Sequence, residues 1–217
     1  MELVPEKKVS NEIYQAFSLI KEKKLVEAEA FLKKEIDRSD PKSGPERAAL
    51  LESTLGFLYR VKGDPKAAWR AYEKAEKLLP EDPSLKIISA RFLIDEFAQY
   101  DSALKKAKQV LKLAAGSPSF EHQAKTTMGL AYLRKGEKKK ARDVLQEILK
   151  KGFDGMASAE NIDFNLVEAF LRRNLELDQC RQFIEKALTF ARVKKEPKRT
   201  VFIEKLIGSF EQVFAHP

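Results

Sequence analysis

The sequence predicts an all-α protein built from repeated helical hairpins, and three observations carry that prediction. Apolar residues recur every three or four positions along nearly the whole chain, as one face of a helix requires. Glycine and proline are scarce, nine of each in 217 residues, which disfavours a β architecture with frequent turns. Two segments 73 residues apart repeat one another at the same internal offsets, the signature of a repeat architecture.

In chain order, the first copy places Ala16, Leu19, Leu25, Ala28, Leu32 and Ile36 at helical spacing. The second is the clearest: Leu55-Gly56-x-x-Tyr59, then Gly63-Asp64, then Ala68, Tyr72, Ala75 and Pro80. The third has Ala90, Ile94, Tyr100, Ala103, Ala107 and Val110. The fourth restates the second as Met128-Gly129-x-x-Tyr132, Gly136-Glu137, Ala141, Leu145 and Ile148, and the fifth has Val167, Leu171, Leu177, Cys180, Ile184 and Ala187. A small residue of each second helix falls at 28, 68, 103, 141 and 180, with gaps of 40, 35, 38 and 39. A small side chain at a crossing lets two helix axes approach, and Tyr59, Tyr72 and Tyr132 are placed to fill the space beside it. Gly63-Asp64 and Gly136-Glu137 read as a helix stop followed by a start. Pro41, Pro45, Pro80, Pro83, Pro118 and Pro197 fall at element ends, where a missing N–H costs nothing, and Ser84 and Ser117 read as caps or turn residues.

These offsets resemble the tetratricopeptide repeat. The resemblance covers about 9–194, as approximate repeats 9–42, 49–82, 84–117, 122–155 and 161–194. It implies a right-handed superhelical solenoid of about five antiparallel helix pairs, with residues 1–8 as a short tail. A last segment, 197–214, places Val201, Phe202, Leu206, Phe210, Val213 and Phe214 at helical spacing and resembles a capping helix with an unusually aromatic apolar side. The pattern departs from the family at Glu35, Arg91 and Glu168, where small residues are usual.

In this family the first helices line a concave groove that binds peptides. The resemblance places Phe17, Phe57, Phe92, Leu130 and Ala169 in that groove. Four residues earlier come Ile13, Ser53, Ile88, Thr126 and Asn165. Such a groove is apolar and aromatic along most of its length. It lacks the Lys and Asn set with which some members grip a terminal carboxylate. Apolar residues at this spacing also suit inter-helix core, so both roles stay open for the phenylalanines. If they face a groove, its occupant is a partner's amphipathic helix, the chain's own 197–214 helix, or a second copy. Arg60, Arg134, Arg172 and Arg173 near the ends of first helices offer a basic rim for acidic residues of a partner, or salt bridges within the chain.

Charge is uneven. Residues 1–100 hold 18 Lys/Arg and 18 Asp/Glu; residues 101–217 hold 23 and 15, so the whole net charge of +8 lies in the second half. Clusters at 134–142, 150–151 and 194–199 read either as solubilising lysines or as a footprint for nucleic acid or another polyanion. No aromatics interleave them, which counts against single-strand recognition by stacking. Chemistry has no residues to rest on: there is no phosphate-cradling loop, nucleophile elbow or metal motif, and no cofactor is expected. Cys180 reads as a small buried hydrophobe without a histidine to activate it. His122 is expected exposed at a helix start and His216 in a tail. Asp95-Glu96 and Glu81-Asp82 look like solvated helix ends. No apolar run is long enough to cross a bilayer and no secretory core opens the chain, so a cytoplasmic location is expected. The reading is a non-enzymatic protein-interaction module, with scaffolding, assembly or chaperone-like holding as its role and polyanion binding as the alternative.

Overall fold

The computed structural model describes residues 6–211, with side chains from Asn11 onward. Gln212, Val213, Phe214 and His216, assigned above to the last helix and the tail, lie outside the described residues. Among those described, all regular structure is helical: α1 (Glu6–Lys21), α2 (Leu25–Asp37), α3 (Pro45–Val61), α4 (Pro65–Leu78), α5 (Pro83–Phe97), α6 (Tyr100–Leu113), α7 (Pro118–Lys135), α8 (Lys138–Lys151), α9 (Asn165–Leu171), α10 (Leu177–Val193) and α11 (Pro197–Ser209), with one 3₁₀ turn at Ala159–Asn161. Helix α1 begins at Glu6, ahead of the repeat start expected at residue 9, because Glu6, Lys7 and Lys8 are good helix formers.

Local chemistry explains the boundaries. Proline opens α3, α4, α5, α7 and α11. The Asp64 carboxylate caps α4 by accepting from Ala67 N at 2.9 Å, and Asp82 caps α5 by accepting from Leu85 N at 2.8 Å. The caps expected at Ser84 and Ser117 do not form. Ser84 lies inside α5, where the longer-reaching Asp82 does that work, and Ser117 stands at the N-cap of α7 without a side-chain bond.

Every first helix is closed by the same left-handed turn. A positive-φ residue occurs at Lys23, Gly63, Ala98, Gly136 and Asn174, and again at Lys195 before α11. The next amide reaches back five residues in most of them: Lys24 N to Leu19 O (2.9 Å), Asp64 N to Tyr59 O (2.9 Å), Glu137 N to Tyr132 O (2.9 Å) and Leu175 N to Phe170 O (3.1 Å). Only two of these positions are glycine, so the sequence shows two stops where the backbone makes six. Ala98 bears the Cβ penalty of the left-handed region, at φ +52. Ala98→Gly should therefore raise stability by about 1 kcal/mol. Urea denaturation followed by circular dichroism checks this; no gain would mean that the turn is relaxed as alanine.

The chain divides into two compact units, Met1–Ser89 and Ala90–Pro217, with the boundary inside α5. In the first, Ala16, Ile20, Ala28, Leu32, Leu51, Leu55, Leu58 and Ala71 form the core between α1, α2, α3 and α4. In the second, a larger core runs from Leu133 on α7 to Ile203 on α11, with Phe153, Phe164, Phe170 and Phe183 at its centre. The five small residues of the second helices, Ala28, Ala68, Ala103, Ala141 and Cys180, are all fully buried. Two of the first helices carry glycine for want of room. A Cβ on Gly56 would stand 2.7 Å from the Tyr72 ring, and one on Gly129 would run into Leu166 and Val144. The departures behave differently. Glu35 is buried and held by Arg47 (2.9 Å) and Arg38 (3.3 Å). Helix α9 is cut to seven residues, after an irregular stretch from Gly152 to Phe164.

Candidate interaction surface

In the first unit, the face of α1 and α3 turned away from the core carries an exposed apolar stripe. Tyr14 is 77% exposed, Phe17 43% and Phe57 36%, with Leu50 and Val61 also open. The Phe17 and Phe57 rings lie against each other at 5.4 Å between centroids. Leu50, Phe57 and Val61 are spaced by seven and four residues, so they line one side of α3 over about three turns. Ile13 is half-buried against the core and Ser53 is buried, so those two support the stripe from beneath. Ile88 is exposed on α5, and Arg60 is exposed near the end of α3.

In the second unit the corresponding side is polar. Arg91 and Asp95 of α5, Leu130 and Arg134 of α7, and Asn165, Glu168, Ala169 and Arg172 of α9 enclose a hollow of about 200 Å³. A second hollow of about 360 Å³ shares Arg91, Asn165 and Glu168 and extends to Gln123, Asn161, Arg199 and Phe202. Arg172 pairs with Glu168 at 3.3 Å, Arg91 with Asp163, and the Asn165 amide donates to Asp163 Oδ1 at 2.6 Å. Arg199 donates to the carbonyls of Ala159 (3.0 Å) and Ile162 (2.5 Å), with its guanidinium over the Phe164 and Phe202 rings. Burial lowers the pKa of both Arg91 and Arg199 from the usual guanidinium value. Arg134 and Arg173 are exposed.

Several expected roles change. Phe92 is 1% exposed and packs edge-on to Phe97, so it belongs to the core. Two residues earlier Ala90 is fully buried, and Arg91 is half-buried and paired with Asp163. Leu130 and Thr126 are buried as well. His122 is 5% exposed, because α7 starts at Pro118 and carries it round to the core side. There its ring lies near Phe153 and Phe183, and its Nε2 accepts from Asp163 N at 2.9 Å. Burial, then the Arg91 charge, push its pKa down to about 4. Cys180 is buried with its thiol pushed up to about 12 by desolvation, far from a thiolate. Trp69 is half-buried beside Ala68. The apolar side of α11 is only partly taken up: Ile203 is in the second core, and Leu206, Ile207 and Phe210 pack on it, but Val201 and Phe202 stay exposed.

No protein-family model matches the sequence, and no curated protein matches it significantly. Solved structures do match in fold. PilF of Pseudomonas aeruginosa superposes with a TM-score of 0.57 at 13% identity, over 98% of this chain and 94% of that one. The MamA RS-1 ArsTM double mutant gives 0.54 at 18% identity, over 89% and 99%. PilF is a tetratricopeptide lipoprotein and MamA a tetratricopeptide-like protein. The chain has a tetratricopeptide-type helical-repeat fold.

Within this tetratricopeptide-type fold the packed faces of the first helices also carry charge. Four residues before each small residue of the first four first helices stands a charge: Glu12, Glu52, Lys86 and Lys125. That spacing puts them one turn away on the packed face. Three are paired. Arg47 donates to Glu12 at 2.8 and 3.1 Å, Lys86 lies 3.3 Å from Glu76, and Lys125 lies 3.3 Å from both Glu121 and Glu147. The Tyr59 hydroxyl adds a bond to Glu29 at 3.0 Å, and Lys33, Lys62 and Tyr59 together hold that carboxyl down at about 2. No helix among the described residues is long and apolar enough to cross a membrane.

Proposed function

We propose that the chain is a non-catalytic protein-interaction module, acting as a scaffold or assembly adaptor, whose first unit receives an amphipathic helix of a partner. The observation that carries this is the exposed Phe17–Phe57 pair flanked by Tyr14, Leu50 and Val61. Five large apolar side chains on one face exceed what scattered surface hydrophobes require, and such a patch favours a partner that covers it. Its length along α3, about three turns, suits anchors at i, i+3/i+4 and i+7 of a docked helix. The polar second unit, with Arg134 and Arg172 at its hollow, supports preference for a partner that also carries acidic residues.

Phe57→Glu should abolish partner capture while leaving helicity intact, since the ring is already over a third exposed. Phe92→Glu should instead lose helicity, because it buries a charge in the core. Affinity capture with mass spectrometry, run beside circular dichroism, reads both. Equal capture by the Phe57 variant and the wild type would remove this face from the reading.

The polyanion alternative is favoured by one observation. Beside the basic clusters at 134–142, 150–151 and 194–199, Lys105, Lys108 and Lys112 line one exposed face of α6. Retention of mixed RNA and DNA on a filter, falling steeply with salt, would favour it.

A further inference from the structure

The apolar stripe of the first unit is laid out symmetrically. Helices α1 and α3 run side by side in the same direction: Arg47 reaches Glu12 near their starts, and the Phe57 ring meets Phe17 further along. At 100° per residue Glu46, Leu50, Phe57 and Val61 fall within about 60° of one another on α3, with Arg60 flanking the same line. Both Glu46 and Arg60 are exposed. The acid stands in the first turn of α3 and Arg60 in the last, so the stripe is negative at one end and positive at the other. Leu50 and Phe57 lie at equal distances either side of a point between Ser53 and Thr54, and Glu46 lies as far from that point as Arg60 and Val61 do on the other side.

Turned end for end by a two-fold axis across both helices at that level, the stripe matches itself. Leu50 of one copy meets Phe57 of the other, Glu46 meets Arg60, and on the neighbouring α1 Tyr14 meets Phe17. An isologous interface has this pattern, because every contact occurs twice with the roles exchanged. A foreign helix requires no such symmetry.

Area and charge agree. With about 200 Å² for an aromatic side chain, the open parts of Tyr14, Phe17, Leu50, Phe57 and Val61 amount to roughly 400 Å² of apolar surface per copy. Doubled and rimmed by polar groups, this reaches the lower end, about 1,200 Å², of specific interfaces. Residues 1–89 carry 17 Lys/Arg and 16 Asp/Glu, so two copies meet there almost without net repulsion, while the remaining +7 lies in residues 90–217.

We infer that the amphipathic helix received by this face is α3 of a second copy of the chain, packed antiparallel in a symmetric dimer. This rests on the reading of the stripe as a docking face and names its occupant.

Sedimentation velocity of the full chain, from low to high micromolar concentration, reads the equilibrium. The mass should climb from that of one chain towards that of two. Phe57→Glu should weaken association about tenfold or more, with helicity unchanged by circular dichroism. Glu46→Arg and Arg60→Glu should each weaken it by about tenfold, since each sets like charges face to face twice. The double variant should return to within about threefold of the wild type. Each charge also suits its own end of the helix dipole, and a purely intrahelical role predicts the opposite, a double variant weaker than either single one. A chain that stays monomeric throughout overturns the second copy; if capture of a foreign protein then still needs Phe57, the docking face itself stands. Association that persists in Phe57→Glu, or a double variant without recovery, overturns the symmetric contact.

Discussion

Gly56→Val is expected to destabilise the first unit by about 3 kcal/mol, because it drives a branched side chain into a rigid ring in a filled core. A Cβ at Gly56 would already stand 2.7 Å from two atoms of the Tyr72 ring and 3.1 Å from a third. Tyr72 is buried on α4, on the same buried face as Ala68 and Ala75. Valine in mid-helix recovers part of glycine's backbone entropy, a few tenths to about 1 kcal/mol, so the measured loss is the collision less that gain. Urea unfolding followed by fluorescence reads this unit selectively, since the only tryptophan, Trp69, lies on α4. A double-mutant cycle with Tyr72→Ala isolates the cause. Once the ring is gone, the valine should cost little, and strictly additive losses would show that something other than this contact keeps position 56 small.

The second unit should weaken sharply in mild acid. His122 titrates near 6.5 in an unfolded chain and at about 4 when folded. A depressed histidine pKa means the folded state resists the proton that the unfolded state accepts. Between the two values the unfolded chain binds more protons, so stability rises with pH there. The contribution is fully present above about pH 6.5 and is lost as pH falls towards 4, amounting to roughly 3 kcal/mol in all. Geometry gives the reason. The ring is enclosed by Phe153 and Phe183, Arg91 is the nearby charge, and Nε2 must stay unprotonated to accept the Asp163 N–H. Amide hydrogen exchange across α7 and α10 at pH 7.5, 5.5 and 4.5 measures the local opening energy. Glu121 of α7, its carboxyl held below the usual range chiefly by Lys151, also loses its ion pairs when acid protonates it. The decisive quantity is therefore the difference from His122→Gln. That variant should be weaker at pH 7.5 yet flatter between 6.5 and 4.5. Parallel pH profiles would place the acid sensitivity elsewhere.

Periodicity in the chain was enough to establish helical hairpins in tandem, the second-helix small residues and the two glycine turns. Each depends on neighbours within one or two turns, and such local geometry is written in residue spacing. The buried state of Cys180 followed from the same spacing. Tertiary packing decided the rest. Whether a phenylalanine at the right interval meets water or another helix depends on rotation of that helix by one residue, and spacing alone does not set it: Phe57 is open, while Phe92 is sealed. The four left-handed turns without glycine were hidden because the backbone can impose a positive φ on lysine, alanine or asparagine when the flanking helices are firmly docked. His122 and Glu52 look like surface residues in the sequence, since charged and titratable side chains usually are. Only the arrival of distant segments, Phe153 and Phe183 around the one and α2 and α4 around the other, takes them out of water.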